Sequence, residues 1–250
     1  MYKYILIFIV SFQLLIASIF AQTNLYVSNQ GNDQNNGSMN APVRSLKQAL
    51  TLAKHKRGHV SVFLRAGTYY LDTTLIIRAT DFHPSSLTIR NYKTDSVVIS
   101  GGKRLALEWK PYKNGILVAR VSPNITFDQL FVNDEKQVLA RYPNYDSSVR
   151  ILKGTSADAI SKERVSHWAN PAGGYLHGLQ AYQWGSLSYK ITGKKQDGSL
   201  QLEGGWQNNR PSSLHKEYRY VEGIFEELDT VNELFLDRQK GVLYYYHLRI

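Results

Sequence analysis

Cysteine is absent from the 250 residues, and there are only two methionines and seven prolines. Without thiols there can be no disulfide framework, zinc–thiolate site or cysteine nucleophile, so a packed core must hold the fold. Acidic residues are also scarce. Twenty Asp and Glu stand against 30 Lys and Arg, a formal charge of +10 that becomes +9 if Lys3 is lost with a leader. Such a charge can attract acidic glycans, phospholipid surfaces or nucleic acid. The basic residues are dispersed, however, with Lys54-His-Lys-Arg57 the densest group, and no basic-aromatic RNA or DNA motif occurs. Nucleic acid is therefore not expected as a partner, and a solvated basic surface competes with acidic polysaccharide as the account of the charge. Gly-x-Ser-x-Gly, His-Glu-x-x-His and a phosphate-cradling glycine loop are missing too, which argues against nucleotide chemistry and the commonest hydrolase motifs.

One long hydrophobic run is present, from Tyr4 to Phe20, broken only by Ser11, Gln13 and Ser18. It follows Lys3 and ends at Ala21-Gln22, the arrangement of a secretory signal peptide over residues 1–21. A retained anchor is the competing reading, since the run approaches the roughly 20 residues that span a bilayer. Asn24-Leu-Tyr-Val27 already reads as a strand, which favours cleavage near Ala21. No cysteine follows that point to carry a lipid. The expected protein is secreted, periplasmic or at the cell surface, with no stable membrane insertion after cleavage.

The first strand runs into Asn29-Gln-Gly-Asn-Asp-Gln-Asn-Asn-Gly37, a loop rich in residues that tolerate left-handed backbone. Leu46, Ala49, Leu50 and Ala53 then fall at helical spacing, with Ser45 to cap the start and Gly58 beyond the end. Val60 to Leu71 is an apolar strand that breaks at Ala66-Gly67 and resumes. Further short strands are expected at Leu75–Ile77, Leu87–Tyr92 and Val97–Ile99, spaced for coiling rather than for hairpins. Past Trp109 the texture changes. Asn114-Gly115, Asn133-Asp134 and Asp197-Gly198 are hairpin turn signals between strand-like runs at Ile116–Val121, Gln129–Val132, Lys136–Arg141, Leu187–Thr192 and Ser199–Glu203. Ser156–Trp168 is the one stretch there suited to a short helix.

The motifs Tyr26-Val-Ser-Asn-Gln-Gly-Asn-Asp33, Ala66-Gly-Thr-Tyr69, Val98-Ile-Ser-Gly-Gly102, Gln129-Leu-Phe-Val-Asn133, Ala140-Arg-Tyr-Pro-Asn144, Gly204-Gly-Trp-Gln-Asn-Asn-Arg210, Ile224-Phe-Glu-Glu-Leu-Asp229 and Leu243-Tyr-Tyr-Tyr246 occur in that order. Together they resemble the N-terminal part of a large bacterial family of secreted right-handed β-helix proteins that includes glycoside hydrolase family 141. The resemblance implies an all-β chain: an N-terminal cap and the first coils of a right-handed parallel β-helix over residues 22–108, with one short capping helix, then an inserted antiparallel β domain over 109–250. It also implies that the groove carrying the catalytic acids belongs to later coils, outside this chain. The implied function is that of an exported carbohydrate-associated protein, the entry portion of a glycoside-hydrolase-like β-helix acting on polysaccharide or oligosaccharide. A polysaccharide lyase of the same fold and a non-catalytic glycan-binding or cell-surface module stay open beside it.

No cofactor or metal is expected. Asp33-Gln-Asn-Asn-Gly37 places its glycine one position early for an EF-hand, with Arg44 where the bidentate Glu is required. His55 and His59 are separated by the helix-ending Gly58. Glycoside hydrolysis needs two carboxyls flanking the scissile bond, and the nearest cluster is Glu226, Glu227, Asp229, Glu233 and Asp237. A charged rim around a β-hairpin is the better account of it. For sugar contact the candidates are Trp184, Trp206, Arg210 and His215, with Tyr182 nearby, because aromatic planes suit the apolar faces of pyranose rings. Core filling competes with that role, and is preferred for Trp168 and Trp184. Arg141 is expected to be buried, paired and structural.

Overall fold

The computed structural model describes residues 22–247 apart from 82, 84, 85, 123, 124, 126, 128 and 207–211. The expected leader at residues 1–21 and the candidate Arg210 lie outside the described residues. The chain divides into two compact units, one ending at Leu105 and one beginning at Ala106.

In the first unit the alternation of branched and polar residues produces β1 (Thr23–Val27), α1 (Leu46–Lys54), β2 (His59–Leu64), β3 (Gly67–Tyr70), β4 (Ser86–Asn91) and β5 (Val97–Ser100). Strands β1, β2 and β4 lie parallel in that order, and β3 lies parallel to β5. The register stacks like on like: Leu25 beside Val62 beside Ile89, and Tyr26 beside Phe63, whose rings stack at 5.5 Å. The Ala66-Gly67 break is a corner. Gly67 has φ of +137°, a Cβ there would strike the Asn29 amide, and the Ala66 N–H is held by the Asp95 carboxylate at 3.0 Å. Helix α1 begins where expected, Ser45 Oγ accepting from Gln48 N at 3.1 Å, and its stripe of Leu46, Ala49, Leu50 and Ala53 is buried against Leu25, Val27, Val60 and Val62. Asp33 serves the loop: Oδ1 accepts from the N–H groups of Arg44 and Ser45, each at 2.8 Å. Burial alone would raise its pKa, but these bonds outweigh that and lower it.

The second unit contains β6 (Lys110–Pro111), β7 (Ile116–Arg120), β8 (Phe131–Val132), β9 (Glu135–Lys136), β10 (Val138–Leu139), β11 (Arg141–Tyr142), α2 (Lys162–His167), β12 (Tyr175–Gln180), β13 (Ser186–Lys194), β14 (Leu200–Gly204), β15 (Leu214–Glu222), β16 (Glu233–Asp237) and β17 (Val242–Tyr246). One five-stranded sheet has the order β10-β16-β17-β7-β6, with β10 and β16 parallel and the rest antiparallel. The other, β11-β15-β12-β13-β14, is wholly antiparallel. Trp168, Val165, Leu176, Ile191, Val221 and Ile224 form the core beneath the second sheet, while Leu234, Leu236, Leu243 and Tyr245 form that of the first.

The chain is thus mostly β with few helices, as expected, but its sheets are mixed. Two expectations need correction. Leu75–Ile77 forms no strand; Gly67–Tyr70, directly after the corner, takes the place beside β5 and leaves Ile76 and Ile77 exposed. Lys136–Arg141 is not one hairpin strand. It is spent on β9, β10 and β11, which belong to three different sheets, because β10 is drawn into parallel pairing with β16 nearly a hundred residues later. Helix α2 falls within Ser156–Trp168, the stretch suited to a short helix.

Candidate functional site

Strand β12 buries Leu176, Gly178 and Gln180 and turns the alternate residues outward, then reverses into β13 through the loop 181–185. That loop is tied down: Gln180 N bonds Gly185 O at 2.8 Å, Ala181 N bonds Ser213 O at 2.9 Å, and Gln183 takes a left-handed conformation that closes back onto Gln180 O. Tyr182 and Trp184, on either side of Gln183, are therefore held outward, their ring centroids 5.7 Å apart and the planes 33° from parallel. They are 77% and 83% exposed. The core position preferred for Trp184 is incorrect. A residue at a reversal beyond the last buried strand position has no sheet face to pack under.

Register brings other candidates to the same sheet end. Tyr189 pairs with Gly204, so the chain leaving β14 passes the start of β13, and Trp206 stands there 85% exposed. Gly205, at φ of +77°, lies against the Tyr189 ring, which a Cβ would overlap. Gln180 pairs with Leu214, bringing His215 to this end as well. The histidine also braces its own strand. Its Nδ1 accepts from the N–H groups of Glu217 and Tyr218 at 3.1 Å where the register of β15 shifts, and its ring stacks on Tyr218 at 4.3 Å. Trp184, Trp206 and His215 thus share one end of one sheet.

The acidic cluster disperses. Glu227 is buried and accepts from Trp168 Nε1 at 2.7 Å and from Arg164 at 3.2 Å; Trp168 is core, as preferred. Arg164 also reaches Asp158 at 3.3 Å and lies over the Tyr142 ring, whose hydroxyl donates to Asp158 at 3.0 Å. The Ser156 hydroxyl is the main cause of the lowered pKa of Asp158. Glu233 is only 2% exposed and accepts from the N–H groups of Arg141, Asp229 and Thr230 at 3.2 to 3.3 Å. Its burial pushes the carboxyl up to about 8 despite those donors. A charged rim is therefore wrong for Glu227 and Glu233, which are interior struts. Glu226 and Asp237 do line a common cleft. Arg141 is buried as expected, but its partners are the carbonyls of Pro143, Leu152 and Gly154 and the face of Tyr220 at 3.9 Å.

Sequence reasoning missed one polar line altogether. His177 Nδ1 lies 2.9 Å from Ser188 Oγ and Nε2 lies 3.1 Å from Glu222 Oε1, the ring being stacked on Tyr220 at 4.9 Å. Its order is that of a nucleophile, base and orienting acid. Acyl transfer also needs donors for the oxyanion, and Ser188 sits in the interior of a strand paired on both sides, where N–H groups serve the ladder. The line is a cross-strand clamp over β13, β12 and β15, and only their register could have revealed it. Among the described residues no group of three or more His, Cys, Asp or Glu could hold a metal, and no helix is long and apolar enough to cross a membrane.

A solved structure titled "Glycoside hydrolase" matches 91% of this chain with a TM-score of 0.68 at 21% sequence identity. What is shared is the fold. The chain spans 43% of that protein's length. A second structure, titled "The complex structure of XylC with xylose", matches 80% of the chain at 14% identity with a TM-score of 0.33, too low to carry an argument. The family described as "Protein of unknown function (DUF1565)" matches residues 29–74. The "Uncharacterized protein YwoF" of Bacillus subtilis (strain 168) is 39% identical over 77 residues, which are 31% of this chain and 15% of that protein.

Proposed function

We propose that this chain is the entry portion of an exported, glycoside-hydrolase-like protein and that it holds polysaccharide by the aromatic end of the second unit's antiparallel sheet. The observation that carries the reading is the convergence of Tyr182, Trp184 and Trp206, each more than three-quarters exposed, on one sheet end. Exposed aromatics grouped on a fixed frame mark an interaction surface, and flat rings held apart from the core suit the apolar faces of sugar rings. In this reading the two parallel sheets of the first unit are the opening coils of a right-handed β-helix, residues 109–250 are an inserted domain, and the acids that cleave glycosidic bonds lie in later coils. The fold shared with a glycoside hydrolase over less than half that protein's length supports the same division of labour.

Binding to immobilised neutral and acidic polysaccharides tests the proposal. Trp184→Ala with Trp206→Ala should weaken retention about tenfold, given about 25 cal/mol for each Å² of apolar ring surface covered by a sugar face, while the unfolding midpoint stays put because neither ring is packed. Retention unchanged in the double variant would overturn the assignment.

A further inference from the structure

The second unit contains a cleft of about 310 Å³ that the aromatic sheet end does not touch. One wall comes from β16, β17 and the turn between them, the other from residues 169–175 and 223–226, so the cleft opens between the two five-stranded sheets. Its volume lies at the lower limit of small-molecule sites. We infer that this cleft is a separate binding site for a short neutral saccharide. The inference shares its ligand class with the function proposed above but rests on different residues.

The apolar wall is built edge to face. Phe225 meets Phe235 at 5.3 Å and Tyr244 at 4.9 Å, and Tyr112 meets Tyr244 at 5.3 Å. Interlocked rings of this kind form a stiff surface that cannot collapse to fill the space. Carboxylates supply the polar side. Asp237 accepts from the backbone N–H and the ammonium of Lys240, each at 2.9 Å; its burial raises the pKa, but these bonds override that and hold it low, so it stays an anion. Glu226 accepts from Ala169 N at 2.9 Å through one oxygen, and an ionised carboxylate has room for further donors.

A ligand that fits must offer an apolar face to the rings and several hydroxyl donors to fixed carboxylates. A saccharide ring does both. Uronate, sulfate and phosphate groups fit less well, because two carboxylates face the site, its one ammonium, Lys240, is committed to Asp237, and its one guanidinium, Arg238, donates to Phe127 O at 3.3 Å. The preference of the cleft thus runs against the net charge of the chain, which favours acidic polymers.

Saturation-transfer NMR on the full chain tests this with cellobiose, xylobiose, mannobiose and galactobiose as neutral probes and glucuronate and galacturonate as acidic ones. At least one neutral disaccharide should give transfer, with affinity falling about tenfold or more in Glu226→Gln, which loses a charge-assisted bond yet keeps an acceptor for Ala169 N. Tyr112→Ala, at the half-exposed rim, should weaken it as well, with only a small fall in the unfolding midpoint from the lost Tyr244 pair. The Trp184→Ala, Trp206→Ala variant should bind the disaccharide like the wild type. No transfer to any neutral probe, tighter binding of the uronates, or indifference to both cleft variants would overturn the inference. Loss of disaccharide binding in the double tryptophan variant would overturn it too, by moving that binding to the sheet end. Loss of polysaccharide retention alone in that variant supports two independent sites.

Discussion

Glu233 shows how one interior carboxyl can set a pH response. Burial raises its pKa from the ordinary 4.5 to about 8, so over that interval the folded chain keeps a proton that the unfolded chain releases. The stabilisation is complete below about 4.5 and is lost as pH rises through about 8, following the linkage between proton uptake and folding. Denaturant midpoints measured across this range should decline with pH in the wild type and decline less in Glu233→Gln. The difference between the two proteins isolates the contribution of Glu233. The lowered aspartates Asp33, Asp146, Asp158, Asp197 and Asp237 act only at more acidic pH. Equal slopes would mean that the Glu233 carboxyl is charged in the fold. Leu228-Asp-Thr-Val-Asn-Glu233 supplies two of the three N–H donors, from Asp229 and Thr230, but the burial itself follows from the pairing of Glu233 with Val138 and the third donor from Arg141, both far away in sequence.

Elements whose cause is local were legible. The α1 stripe and its Ser45 cap depend on residues a few positions apart and appear where the spacing puts them, and the corner at Gly67 is marked by the glycine itself, which takes a φ of +137°. Ser45→Ala should lower stability by about 1 kcal/mol, the usual worth of an N-cap, read as a fall in the thermal midpoint; no fall would mean that Asp33 secures the helix start alone. The turn signals held for the same reason. Asn114-Gly115 and Asn133-Asp134 adopt the two successive left-handed conformations that a tight hairpin requires. The fate of Lys136–Arg141 could not be read, since its division among three sheets depends on strands formed by residues 214–237. The same applies to the sheet end: Trp184 and Trp206 are 22 residues apart, and only the β13–β14 register makes them neighbours of one edge.

On the scale of the molecule, each unit has its own core. The first cluster draws only on residues 25–97, and the other three only on residues 107–246. A fragment of residues 106–250 should therefore fold without the first unit, giving a cooperative thermal transition and dispersed amide resonances; a molten spectrum would mean that the second unit depends on the first. The division among the four tryptophans offers an optical consequence. Trp168, 1% exposed and hydrogen-bonded to Glu227, sits in dry surroundings, and Trp109, packed on Tyr245, is partly buried. Trp184 and Trp206 face water. Intrinsic emission thus contains a blue, shielded component and a red component open to acrylamide. A glycan lying on the sheet end would shift and protect the red one alone, so the protein carries its own reporter of which surface is occupied.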